Sequence, residues 1–150
     1  MIRESVKAAQ VAAMKAGDKP RTAATRAILA KIKDRDIELR TSDKAPQDDV
    51  IVTEVLQKMA KQRRESIAMF NDGGRAELAN AESYELSVIE EFLPAQRSEA
   101  ETVAIIESLK DELGATSLKD IGRVMAELKS RHGSEIDMGR ASGLVKAALG

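Results

Sequence analysis

Apolar residues recur at three- and four-residue intervals along almost the whole chain, the spacing that lines one side of an α-helix. The pattern predicts helices near 2–16, 20–41, 49–71, 75–93, 98–113, 118–130 and 138–149. Long β-branched runs are missing, and Ala, Leu, Glu, Lys and Arg dominate, so the expected class is all-α. The punctuation agrees. Gly17-Asp18-Lys19-Pro20 turns the first corner with Pro20 in a first helical turn, where its missing N–H costs nothing. Asn71-Asp72-Gly73-Gly74 offers residues that tolerate left-handed backbone at a helix end. Pro94 stops the fourth helix, and Ser98-Glu99-Ala100-Glu101 and Ser117-Leu118-Lys119-Asp120 have the spacing of capping boxes. The expected organisation is a body of about four helices, 1–94, followed by a small three-helix tail domain, 95–150, with the boundary at Pro94–Arg97.

Charged residues interrupt two of the apolar stripes. The third helix has a stripe through Val52, Val55, Leu56, Met59, Ile67 and Phe70, with Arg63 near its middle. The fourth runs through Leu78, Ala81, Val88, Ile89 and Phe92, with Glu85 near its middle. In an antiparallel hairpin turning at Gly74, both charged residues lie eleven positions from the turn, so they are expected side by side. Such a pair fixes helix register rather than doing chemistry.

The tail poses a different question, because its two last helices carry glycines that cost a helix interior about 1 kcal/mol each. The stripe of 118–130 runs through Leu118, Ile121, Met125 and Leu128, which puts Gly122 about 80° from its centre, on a shoulder. Packing accounts for a glycine there. The last helix has its stripe through Met138, Ala141, Val145 and Ala148, flanked by Leu144 and Leu149. Gly139 and Gly143 fall on the opposite side, one turn apart, with Lys146 beside them. A bare outward strip beside basic residues suits close approach by an external backbone, either a phosphate chain or a partner helix. Gly139 also lies in a first turn, where free N–H groups favour anions. Asp137 precedes it and competes for the same groups.

Composition narrows the chemistry. The 150 residues are 43% hydrophobic and 33% charged, with no cysteine, so disulfides, thiolate metal sites and cysteine nucleophiles are excluded. No apolar run approaches the roughly 20 residues of a membrane span, so no membrane association is expected and a cytoplasmic protein is. His132 is the sole histidine and is expected to be a solvated helix-end residue rather than a metal ligand. No phosphate-binding glycine loop or nucleophile motif occurs, and neither a catalytic residue, a metal nor a cofactor is expected. The runs Asp34-Arg35-Asp36 and Asp48-Asp49 read as structural.

The formal net charge is −1, but residues 1–41 hold ten Lys/Arg against five Asp/Glu, and residues 42–94 hold six against eleven. Aromatic content is 2%, and Phe70 and Phe92 lie on core stripes, so a base-stacking platform is not expected. Any nucleic-acid contact would go through phosphate and shape. The candidate cations are the heptad-spaced Arg26, Lys33 and Arg40, the Lys61-Gln62-Arg63-Arg64 stretch, and Lys119, Arg123, Lys129, Arg131, Arg140 and Lys146.

Several stretches resemble the GatB/YqeY family, and specifically its free-standing YqeY-like members. They are LAKIKDRDIELR (Leu29–Arg40), VLQKMAKQRRESIAMFNDGGRAELANAE (Val55–Glu82), ELSVIEEFLPAQ (Glu85–Gln96), GATSLKDIGRVMAEL (Gly114–Leu128) and VKAAL (Val145–Leu149). Asp137-Met138-Gly139 is one residue longer than the Asp-Gly usual in that family near the start of the last helix. The resemblance implies a helical body with a small tail, the tail being similar to that of the B subunit of the glutamine-dependent aspartyl/glutamyl-tRNA amidotransferase. There the domain contacts the outer part of the tRNA. The glutaminase and ATP-using domains of that enzyme have no counterpart in this chain, so carbon–nitrogen ligation with glutamine as amido donor is not carried over.

Two readings follow. The first is a non-catalytic module binding tRNA, or a tRNA-dependent amidotransferase or synthetase assembly, through Lys119, Gly122, Arg123, Gly139, Arg140, Gly143 and Lys146. The second is a protein–protein adaptor without direct RNA contact. The eight Lys/Arg against nine Asp/Glu of residues 95–150 favour the second.

Overall fold

The computed structural model describes residues 1–42 and 47–150. The described residues form α1 (Ile2–Ala16), α2 (Lys19–Leu39), α3 (Asp48–Asp72), α4 (Ala76–Phe92), α5 (Glu99–Leu113), a single 3-10 turn (Leu118–Asp120), α6 (Ile121–His132) and α7 (Met138–Leu149). No strand occurs among them, and the class is all-α. Part of the interval expected between the second and third helices, 43–46, lies outside the described residues. The chain divides into two compact units, Met1–Leu93 and Pro94–Gly150.

In the first unit each corner has its own device. Gly17 takes φ +70°, a left-handed conformation open to glycine at little cost, and so ends α1. The Asp18 carboxylate then accepts the Arg21 N–H at 3.1 Å and starts α2, with Pro20 in its first turn. Val6, Ile28, Ile32, Val52, Leu56 and Ile89 close the core, each at most 2% exposed.

Arg3 binds α1 to the elements on either side of the α2–α3 connection. Its guanidinium holds Asp36 through two bonds of 2.7 and 2.9 Å, and it reaches Asp48 at 2.7 Å. The Ile2 N–H donates to Asp49 at 3.1 Å. Both acidic runs of the sequence are therefore structural here.

Gly74, at φ +71°, turns α3 into α4, and the expected pair forms: Arg63 Nε lies 2.7 Å from Glu85 Oε2 and 3.2 Å from Glu82 Oε2. Nε is buried and makes no well-aligned hydrogen bond, so the contact is electrostatic. The expected α4 stripe needs correction in its first half. Leu78 and Ala81 face solvent while Ala79 is buried, because the hairpin's inner side there is centred on Ala79, Glu82 and Leu86.

In the second unit, Ser98 and Glu101 complete a reciprocal cap: each backbone N–H donates to the other's side chain at 3.1 Å. Gly114, at φ +64°, ends α5. The core gathers Ile106, Leu109, Val124, Leu128, Ile136, Ala141 and Val145. Here too one expected stripe shifts. Leu118 is 54% exposed because Leu118–Asp120 forms a 3-10 turn that leaves the α-helical phase, and fully buried Val124 takes the core position. That rotation moves Gly122 from the expected shoulder onto the exposed face of α6.

Three bidentate or doubled arginine pairs set a pH dependence. Arg3 holds the Asp36 carboxyl below its ordinary value of 3.8, while Arg21 and Arg131 hold Glu91 and Glu112 below 4.5. A carboxyl lowered in the folded state contributes stability that is complete above its unfolded value and lost as pH falls through its folded one. The expected result is a flat melting temperature down to about pH 5 and a decline below it, shallower in about 0.5 M salt because these pairs are largely solvent-exposed. Thermal melts between pH 7 and 3 check this.

Candidate nucleic-acid interface

The face of interest belongs to α7. Asp137 Oδ1 accepts the Gly139 N–H at 2.9 Å and caps the helix, so that N–H is already satisfied and a carboxylate stands at the terminus. The helix end is thereby closed as an anion site. Ala141, Val145 and Leu149 turn into the core, and Gly139, Gly143 and Lys146 lie exposed on the opposite side. A Cβ added at Gly143 or at Gly122 would meet nothing within 4 Å. Internal packing requires neither glycine.

The cations sort by partner. Arg123 is tied to Asp120 at 2.9 Å, and the Asp120 carboxyl sits below its ordinary value because it accepts backbone N–H groups of Thr116 and Ser117. Arg131 bonds both oxygens of Glu112, at 2.8 and 2.9 Å, and reaches Glu127 at 3.0 Å. Lys129 is also partnered. Lys119, Arg140 and Lys146 make no ion pair among the described residues.

Leu118 Cδ2 lies 3.8 Å from where a Gly150 Cβ would stand, and the Gly150 N–H donates to the Lys146 carbonyl at 2.8 Å. The turn bearing Lys119 therefore abuts the turn bearing Lys146. Arg140 stands toward the other end of α7, and Gly122 and Arg123 belong to the outward face of α6. The seven expected residues thus divide between α6, α7 and the 3-10 turn that leads into α6, and ion pairing engages Arg123.

His132 is half-buried rather than solvated, its Nδ1 3.3 Å from Glu135 Oε2, and Arg97 reaches the same carboxylate at 3.1 Å. The Glu135 carboxyl is held below its ordinary value by His132 first and Arg97 second. In the first unit Arg63 is occupied as described, and Arg64 lies 3.5 Å from Glu90. Arg26, Lys33 and Arg40 are exposed and make no ion pair among the described residues. That difference between bound and unbound cations could not be read from spacing. Among the described residues no cluster of three or more His, Asp or Glu is placed to hold a metal, and no helix is long and apolar enough to cross a membrane.

Residues 3–149 match the family model described as Yqey-like protein. The chain belongs to this YqeY-like family. Two curated relatives are each described as "Altered inheritance of mitochondria protein 41, mitochondrial". The one from Kluyveromyces lactis is 32% identical over 115 residues, covering 73% of this chain and 60% of that protein. The one from Eremothecium gossypii is 34% identical over 122 residues, covering 81% of this chain and 58% of that protein. The chain thus spans about three-fifths of the length of these relatives. The match to the YqeY-like model takes in both compact units, from α1 to the last turn of α7.

Proposed function

We propose that this YqeY-like protein is a helical binding module, without catalysis of its own, that docks on tRNA or a tRNA-handling assembly through the outer face of α7. The observation that carries the reading is the exposed strip of Gly139 and Gly143 beside Lys146, a cation with no ion pair among the described residues. A backbone can approach a helix most closely over glycines, and an unpaired cation there neutralises phosphate without first breaking an ion pair. Lys119 and Arg140 extend the charge to either side.

The test is binding of the full chain to bulk tRNA across a salt series, beside a Gly143→Glu/Lys146→Glu variant. The expected result is affinity that falls with salt, lost by about tenfold or more in the variant, with a salt slope reduced by about one per phosphate contact removed. Unchanged binding in the variant removes the α7 face from the reading. The adaptor reading is favoured by the near balance of eight Lys/Arg against nine Asp/Glu over 95–150, and it predicts a partner whose affinity barely responds to salt.

A further inference from the structure

We propose that the outward face of α2, in the first unit, is a rail that grips the phosphate backbone of an RNA, independently of the α7 face. Lys19, Arg26, Lys33 and Arg40 follow one another at intervals of seven residues. In an α-helix that spacing keeps them within about 60° of arc, each step rising roughly 10 Å and the series covering about 31 Å. All four are exposed, and none makes an ion pair or side-chain hydrogen bond among the described residues; Arg40 has the Asp36 carboxylate in its field. Five other arginines of the unit, Arg3, Arg21, Arg35, Arg63 and Arg64, are paired with carboxylates, while Arg75, at the start of α4, makes no ion pair among the described residues.

Of the acids of α2, Asp36 flanks the stripe between Lys33 and Arg40, and Asp34 and Glu38 lie to its other side. Asp36 is bound by Arg3, with Lys7 and Arg40 adding to the positive field around it. Glu38 pairs with Arg35 at 2.8 Å, and Asp34 lines the groove toward α3 with Lys31. Lys19 stands in the first turn of α2, where the helix dipole disfavours a cation, and the Asp18 carboxylate beside it is taken up by the Arg21 N–H. Four like charges on one face repel one another, and the relief seen among the described residues is that of the Asp36 carboxylate on Arg40. An external polyanion would relieve the rest.

The residues between the cations indicate which polyanion. Ala23 and Ala30 are small and exposed, which lets a backbone lie close, and Ile37 is the single large apolar side chain on the stripe. Ile28 and Ile32 are buried in the core, so α2 has no apolar wedge to sink into a bilayer. The stripe also offers neither an aromatic anchor nor an apolar seam for a protein helix. Regularly spaced cations without aromatics fit contact with phosphates and no reading of bases.

The full chain is titrated with bulk tRNA across a salt series as wild type, as Arg26→Glu/Lys33→Glu, and as the charge-keeping exchange Arg26→Lys/Lys33→Arg. Circular dichroism melts confirm that these exposed substitutions leave the fold intact. The charge reversal is expected to weaken binding about tenfold and flatten the salt slope by about two, while the exchange stays within about twofold of wild type. Unchanged affinity and slope in the reversal overturn the proposal. So does an exchange as damaging as the reversal, or a wild type that binds no RNA at low salt. The Gly143→Glu/Lys146→Glu variant separates the two faces: a loss confined to the α2 reversal upholds the rail and removes the α7 reading, and a loss confined to the α7 variant does the opposite.

Discussion

Leu128→Ala is expected to unfold α5–α7 while α1–α4 remain folded. Leu128 is fully buried in the core of the second unit, among Ile106, Leu109, Val124 and Val145. Truncating a buried leucine removes its transfer free energy and leaves a cavity, at a cost of about 2–5 kcal/mol. A unit as small as Pro94–Gly150 buries only about 60% of its unfolded surface, and its stability is of the same order as that loss. Native-state hydrogen exchange checks the prediction residue by residue. Amides of α5, α6 and α7 should lose protection in the variant while those of α2 and α3 keep theirs. Equal loss throughout would show that the two units unfold as one body.

The second large effect is expected at the α3–α4 hairpin. Arg63→Met keeps the aliphatic length of the side chain but removes the cation facing Glu82 and Glu85. Two carboxylates one helical turn apart then face each other at a half-buried position, and Glu82 Oε2 is itself buried. Breaking a fully buried ion pair costs about 3–5 kcal/mol. Here the side chains of Arg63 and Glu85 are 25% and 41% exposed, so solvent screening lowers the expected loss to about 1–2 kcal/mol. Adding Glu82→Gln and Glu85→Gln to Arg63→Met should restore most of it, because neutral amides no longer repel. Urea denaturation of Arg63→Met, of Glu82→Gln/Glu85→Gln and of their combination measures the coupling. If the glutamine substitutions restore nothing, the loss at Arg63 comes from packing rather than charge.

The pair was legible because a hairpin turns sequence distance into spatial distance. Equal separations of Arg63 and Glu85 from Gly74 suffice once both helices are recognised. Glu82, the second carboxylate on the same guanidinium, lies off the expected α4 stripe, because that stripe runs through Leu78 and Ala81, which face solvent. The tail shows the same limit. An α-helical Leu118 places Gly122 on a shoulder of α6, whereas the 3-10 turn changes the angle per residue and brings Val124 inward.

Local rules settle what local chemistry controls. The all-α class, the corner at Gly17, the helix end at Gly74, the caps at Ser98 and Asp137, and the outward side of Gly139 and Gly143 all follow from periodicity and backbone preference. These interactions act over four or five residues, so neighbours in the chain contain the needed information. Ion pairing over long separations does not. Arg21 meets Glu91 from seventy residues away, Arg131 meets Glu112 across two helices, and Arg3 meets Asp36 and Asp48. Packing alone decides which cations find a carboxylate, and in doing so it leaves Lys19, Arg26, Lys33 and Arg40 on one helix, and Lys119, Arg140 and Lys146 in the tail, facing solvent without an ion pair among the described residues.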